Sequence, residues 1–116
     1  MKELEELFSL LEEGTSPYQV VSHTEDYLKK AGFFGLSFGK PWDLTLGEKY
    51  YVNHHGSTIF AFTMPERAER MGDIRIAAAH TDFPCLRIKP NPDVKNASYA
   101  GVNVEVYGGA ILNTWL

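Results

Sequence analysis

The chain has a single cysteine, Cys85, among its 116 residues. No internal disulfide is possible, so the fold rests on packing, and a reducing, cytoplasmic setting is expected. Positive charge is also scarce: 11 lysines and arginines stand against 15 aspartates and glutamates, a net charge of −4. That balance gives no support to a nucleic-acid partner. No apolar run approaches the roughly 20 residues that span a bilayer, so no membrane partner is expected either. The opening MKELEELFSLLEEG is acidic and amphipathic, unlike the basic start and apolar core of a signal peptide. There are no internal repeats and no low-complexity tracts. Histidine occurs four times, as His23, His54, His55 and His80, so metal chemistry has few nitrogen donors to draw on.

What is present suits one domain. Hydrophobic residues make up 44% and charged residues 22%, an ordinary balance for a globular chain. At this length folding buries roughly two-thirds of the unfolded surface. Leu4, Leu7, Phe8 and Leu11 recur at helical spacing, and Gly14 stops that helix. Ser16 can cap a second helix, with Pro17 at its first position and Gln19 completing a capping box. Its buried stripe is Val20, Val21, Thr24, Tyr27, Leu28 and Ala31, and Gly32 ends it. His23 lies beside that stripe, where solvent or a partner accounts for it without a ligand role.

Residues 33–47, with their glycines, Pro41 and Trp42, read as a long irregular connection. Lys49–Val52 and Thr58–Met64 read as a hairpin around Asn53-His54-His55-Gly56. Adjacent strand residues face opposite ways, so His54 and His55 make a poor paired metal site, and turn chemistry explains the segment. Ile74–Ala79 suits a strand covered on both faces. Leu86–Lys89 alternates, Pro90–Ala100 reads as a loop, and Val102, Val104 and Val106 alternate with Asn103, Glu105 and Tyr107 before Gly108-Gly109. Ala110–Leu116 opens another apolar stretch. Helices followed by strands indicate an α/β or α+β layered sheet.

His80 and Asp82 stand where the apolar run 74–79 ends, the edge at which open α/β sheets hold ligands. Two residues apart on an extended backbone, both would project from one face. A neutral imidazole is a good zinc ligand, and a carboxylate beside it can fix its tautomer and raise its basicity. The spacing alone is weak, since such a pair also caps strand ends by chance. Other chemistries fit less well. Thr81 faces away from His80 on a strand, which strains a nucleophile–base pairing. Cys85 reads as a small buried residue rather than an activated thiol. Gly108-Gly109 lacks the rest of a phosphate loop, and Glu105 reads better as a solvated glutamate than as a ligand or base.

The segments AAHTDFPCLRIKPNPD and GVNVEVYGGAILNTW, preceded in order by TSPYQVVSHTEDYLKKAGF, PWDLTLGEKYYV and GSTIFAF, resemble the N-terminal part of the M18 metallopeptidases, the aspartyl aminopeptidase group. The resemblance implies a zinc-dependent exopeptidase that removes N-terminal, often acidic, residues from peptides with two bridged metal ions. It makes His80 a zinc ligand and Asp82 the carboxylate that orients it. The bridging aspartate, the general base, the other ligands and the second domain come later in such chains. Phe83 replaces the family's usual serine, which could alter packing beside the metal. The pattern normally continues past Trp115 into an Asp-Arg pair, so the ending at Leu116 reads as a truncation. The expectation is a partial three-layer mixed-sheet zinc-exopeptidase fold over 1–116, with two N-terminal helices then strands and no second domain. The isolated chain is expected to be inactive and to self-associate or await a complementing chain. The alternatives are a non-catalytic binding or assembly module and one subunit of a split peptidase.

Overall fold

A computed structural model describes residues 2–109. The chain divides into two compact units, Met1–Thr81 and Asp82–Leu116. The apolar stretch Ala110–Leu116 lies outside the described residues.

The first unit opens with α1 (Lys2–Glu13) and α2 (Pro17–Lys30). They meet closely at Gly14, where an added Cβ would sit 2.7 Å from the Leu10 carbonyl oxygen and 3.0 Å from a Val20 methyl. Only a residue without a side chain fits between the two helices there. Pro17 starts α2 as the sequence suggests, but the capping box does not form. The Ser16 hydroxyl donates to the Gln19 side-chain oxygen and makes no cap bond to the backbone. The stripe of α2 is only partly covered: Val21 is fully buried, while Tyr27 is 61% exposed. The apolar side chains of α1 also face outward, Leu11 being 66% exposed. His23 Nδ1 meets Glu13 Oε2 at 3.0 Å, the partner-satisfied state expected of it.

A mixed three-stranded sheet follows, in the order β1 (Phe34–Leu36), β2 (Lys49–His54), β3 (Thr58–Thr63). β1 runs parallel to β2, and β2 and β3 form the expected antiparallel hairpin. The short β1 lies inside the stretch read as irregular, because three residues with a central glycine give almost no alternation to detect. β2 is the centre: Tyr50, Tyr51 and Val52 are all buried. Tyr50 packs against Phe34 and Phe62, and its hydroxyl accepts the Thr45 N–H at 2.9 Å. Trp42 stacks on Phe62 and donates its indole N–H to the Ser37 carbonyl. The glycine-rich connection is thus folded back over one face of the sheet.

On the other side, Glu25 of α2 holds the helix to β2. Its carboxylate accepts from Lys29 at 2.8 Å, from the Asn53 amide at 2.6 Å and from the Tyr51 hydroxyl at 3.1 Å. The Lys29 ammonium and then the Asn53 amide hold its carboxyl below the ordinary value of 4.5. Burial, then the adjacent carboxylate, pushes the Tyr51 hydroxyl up.

The second unit is a two-stranded ribbon, β4 (Cys85–Asn96) antiparallel to β5 (Tyr99–Tyr107). Pro90–Ala100 is therefore mostly strand, not loop. The register jumps from Ile88↔Val104 to Asp93↔Val102, an irregularity that takes up Pro90 and Pro92. Prolines are tolerated at such a bulge because no ladder N–H is needed from them. The remaining turn is only Ala97-Ser98, with Ala97 left-handed at φ 53°.

Glu25→Ala should destabilise the first unit by about 1–3 kcal/mol in a urea melt, since it strands the Tyr51 and Asn53 donors. A folded-state value below 4.5 means the Glu25 contribution is complete above that pH and is lost as pH falls through the folded value. The stability gap between the natural chain and Glu25→Gln should therefore shrink on acidification. A gap unchanged from about pH 7 to pH 2 would refute the role given to this carboxylate.

Candidate metal centre

The apolar run leading to His80 does not form the expected strand. Residues 73–84 carry no helix or strand, and Ile74 and Ile76 are 77% and 85% exposed. A strand covered on both faces requires paired neighbours and overlying elements, and the ladder of the first sheet ends with β1 and β3. The strand-alternation argument for placing His80 and Asp82 on one face therefore does not apply. Local anchors take its place.

In the first unit, the Thr81 hydroxyl donates to the Ser57 carbonyl at 2.9 Å. This ties the end of the His80 segment to the turn between β2 and β3. It also engages the hydroxyl considered as a nucleophile in a structural bond. Ala78 and Ala79, being small, leave a shallow recess of about 250 Å³ that they line together with His80. His80 itself is exposed.

Asp82 opens the second unit and is held from within it. The Tyr107 hydroxyl donates to Asp82 Oδ2 at 2.9 Å. The strand register explains how residues 25 apart meet: Cys85 is paired with Tyr107, so the turn before β4 lies against the end of β5. Gly108 is required for this approach. Its φ is +84°, and an added Cβ would lie 3.2 Å from Pro84 Cα. Arg87 sits two residues along β4 from Cys85, on the same face, with its guanidinium 4.0 Å from the Tyr107 ring centre. Asp82, first through its hydrogen bond and then through its charge, pushes the Tyr107 hydroxyl up from its ordinary value, and Arg87 opposes this weakly.

The remaining sequence candidates have local partners of their own. His54 and His55 do not face opposite ways. His55 adopts a left-handed φ of 55°, which folds its ring to 4.1 Å from that of His54, and His54 also meets the edge of Phe38. Cys85 is a free, half-buried thiol in the β4 ladder. Glu105 is exposed and pairs in register with Arg87, in keeping with a solvated glutamate. Phe83 is 43% exposed beside the turn. Tyr107, the hydrogen-bond partner of Asp82, was not singled out in the sequence. Its alternation with the valines was visible, but its pairing with Cys85 depends on the bulge, which was read as a loop.

Among the described residues no three His, Cys, Asp or Glu side chains are grouped to hold a metal ion. His80, an exposed imidazole of the type that serves as a zinc ligand, stands near the end of the first unit, and Asp82, bonded by Tyr107, opens the second. Residues 10–116 match the family described as aminopeptidase I zinc metalloprotease (M18). The chain belongs to this family. An M18 relative from Streptomyces avermitilis, "Probable M18 family aminopeptidase 2", is 41% identical over 97% of this chain and 26% of its own. Among solved structures, the cryo-EM structure of the Ape4 and Nbr1 complex superposes with a TM-score of 0.76 at 30% identity, over 92% of this chain and 21% of that one. Chaetomium thermophilum mApe1 gives 0.70 at 26% identity, over 92% of this chain and 25% of its own. The chain thus has the α/β fold of this part of M18 aminopeptidases and spans about a quarter of the length of the curated relatives it matches. M18 membership brings zinc with it as the family's metal.

Gly108→Ala should destabilise the second unit by more than about 1 kcal/mol, because both the positive φ and the Pro84 contact resist a side chain. Limited proteolysis near residues 82–85 would detect the loosening, and unchanged protection would contradict it.

Proposed function

We propose that this chain is the N-terminal quarter of a zinc-dependent aminopeptidase that removes N-terminal, preferentially acidic, residues from peptides. The observation that carries the reading is the M18 match over residues 10–116, a span that contains His80, Thr81 and Asp82. His80 contributes one neutral imidazole nitrogen to the metal. Asp82 takes the role of the carboxylate that orients such a histidine, fixing its tautomer and making it a better donor. Zinc, once bound, supplies a Lewis acid and a water of lowered pKa. The remaining ligands, the general base and the second ion of a two-zinc centre belong to sequence beyond the described residues.

The described residues by themselves group too few donors for a catalytic zinc, which needs three protein ligands. The chain acts as one part of a larger assembly. The exposed apolar face of the ribbon supports self-association or cover by the rest of the protein, with Ile88 64% and Val106 58% exposed. No helix among the described residues is long and apolar enough to cross a membrane. The setting we propose is cytoplasmic.

The purified 116-residue chain should release no measurable N-terminal aspartate from a peptide, with or without zinc. The full gene product, with the reading frame followed past Leu116, should do so and lose activity on chelation. His80→Ala in that product should lower kcat/KM more than the roughly 10–100-fold that follows loss of a ligand's supporting partner. Zinc-dependent hydrolysis by the short chain, or full activity of His80→Ala, would overturn the assignment.

A further inference from the structure

We propose that His54 and His55 together form a two-nitrogen binding site for a divalent copper ion at the turn between β2 and β3. The inference does not depend on the role given to His80.

On a regular strand these neighbours would point to opposite faces. The left-handed φ of 55° at His55 breaks the alternation, and the two ring centres stand 4.1 Å apart with their planes at 60°. That separation discriminates between metals. With a metal–nitrogen bond of about 2.0 Å, two imidazoles at right angles on one ion have ring centres about 4.4 Å apart. At the tetrahedral angle that zinc prefers, the separation would be about 5.1 Å. The observed spacing lies nearer the first and suits the square-planar or tetragonal geometry of copper(II) or nickel(II), of which copper binds nitrogen sites more tightly. The last side-chain torsion of histidine is broad, so each ring can turn one nitrogen to a shared ion. Both residues are exposed, which leaves the other coordination positions to water. No group of three His, Cys, Asp or Glu among the described residues includes them.

The turn that carries the pair is held in shape by its own bonds. The Gly56 N–H donates to Asn53 Oδ1 at 2.9 Å, and the Ser57 carbonyl accepts from the Thr81 hydroxyl at 2.9 Å. Gly56 takes a second left-handed φ, of 72°, directly after His55. The His54 ring meets Phe38 edge to face, with centres 5.3 Å apart. A pair restrained in this way gives up less freedom on binding, and the second nitrogen then engages as an intramolecular step.

The plain alternative is that two exposed rings pack on each other and bind nothing. Copper titration separates the two. The full gene product, loaded with zinc and freed of excess, is titrated with copper(II). Affinity is read by competition with a chelator of known affinity, and electron paramagnetic resonance counts the nitrogens on the ion. The natural protein should hold one more equivalent of copper than a His54→Phe, His55→Gly double variant, with two imidazole nitrogens on that ion. His54→Phe alone keeps a ring against Phe38, and His55→Gly alone keeps the left-handed backbone. Each should weaken the site roughly 100-fold, the low end of the gain from linking two contacts, with an unchanged metal-free melt. Should either lower that melt, His54→Gln or His55→Asn replaces it and the same weakening is expected. Equal copper uptake by the natural protein and the double variant overturns the proposal. Full affinity in either single variant, or a spectrum with one nitrogen, overturns it as well.

Discussion

The pairing of Cys85 with Tyr107 is the constraint on which the second unit depends. It closes the ribbon at the end where Asp82 enters, and it brings a hydroxyl and a carboxylate from opposite ends of the unit into one hydrogen bond. A slip of one residue would turn Tyr107 to the valine face and leave Asp82 without that donor. What opposes the slip is the mismatch further along, where β4 uses six residues from Ile88 to Asp93 against three from Val104 to Val102 on β5. The bulge takes up the three extra residues of β4, an odd number, so the alternation of β4 reverses across it while β5 runs on unbroken. The chemistry of the turn is thus set by backbone count as much as by side-chain type.

The first unit solves a different problem. β2 is apolar and aromatic on both faces, so each needs a cover, and the two covers differ in kind. One is an aromatic layer from the loop after β1, in which Trp42 lies on Phe62. The other is a polar clasp in which one carboxylate of α2 collects three donors. Neither face is large, and among the described residues only Val21, Tyr50, Tyr51 and Val52 are buried hydrophobic side chains. Such a small core fits a segment whose relatives are about four times as long. Much of its apolar surface, including the outward side of α1, still faces solvent.

The two helices, the β2–β3 hairpin and β5 were legible in the sequence because each carries a clear periodicity with a stop at its end. The family was legible because five blocks occur in a fixed order. Three features were not. Ile74–Ala79 has the composition of a covered strand, but a strand is a property of its neighbours, and no neighbour pairs with it among the described residues. Pro90 and Pro92 suggested a loop, whereas their missing N–H groups are what a bulge accommodates. The ring of His55 was placed by alternation on the face opposite His54, yet a single left-handed residue reverses that placement. At the candidate centre, His80 and Asp82 were identified from pattern and resemblance. The bond from Tyr107 to Asp82 was not legible, because it arises from a register that no local window contains.

The two prolines of β4 have a consequence for the ribbon's outer edge. A strand laid along that edge would find no N–H at Pro90 or Pro92 and would lose its ladder at both. Continuous edge-to-edge growth, the usual route by which a long exposed hairpin seeds aggregates, is interrupted at the middle of β4. Whatever completes this side of the molecule must join it in two short lengths, or cover it with something other than a strand.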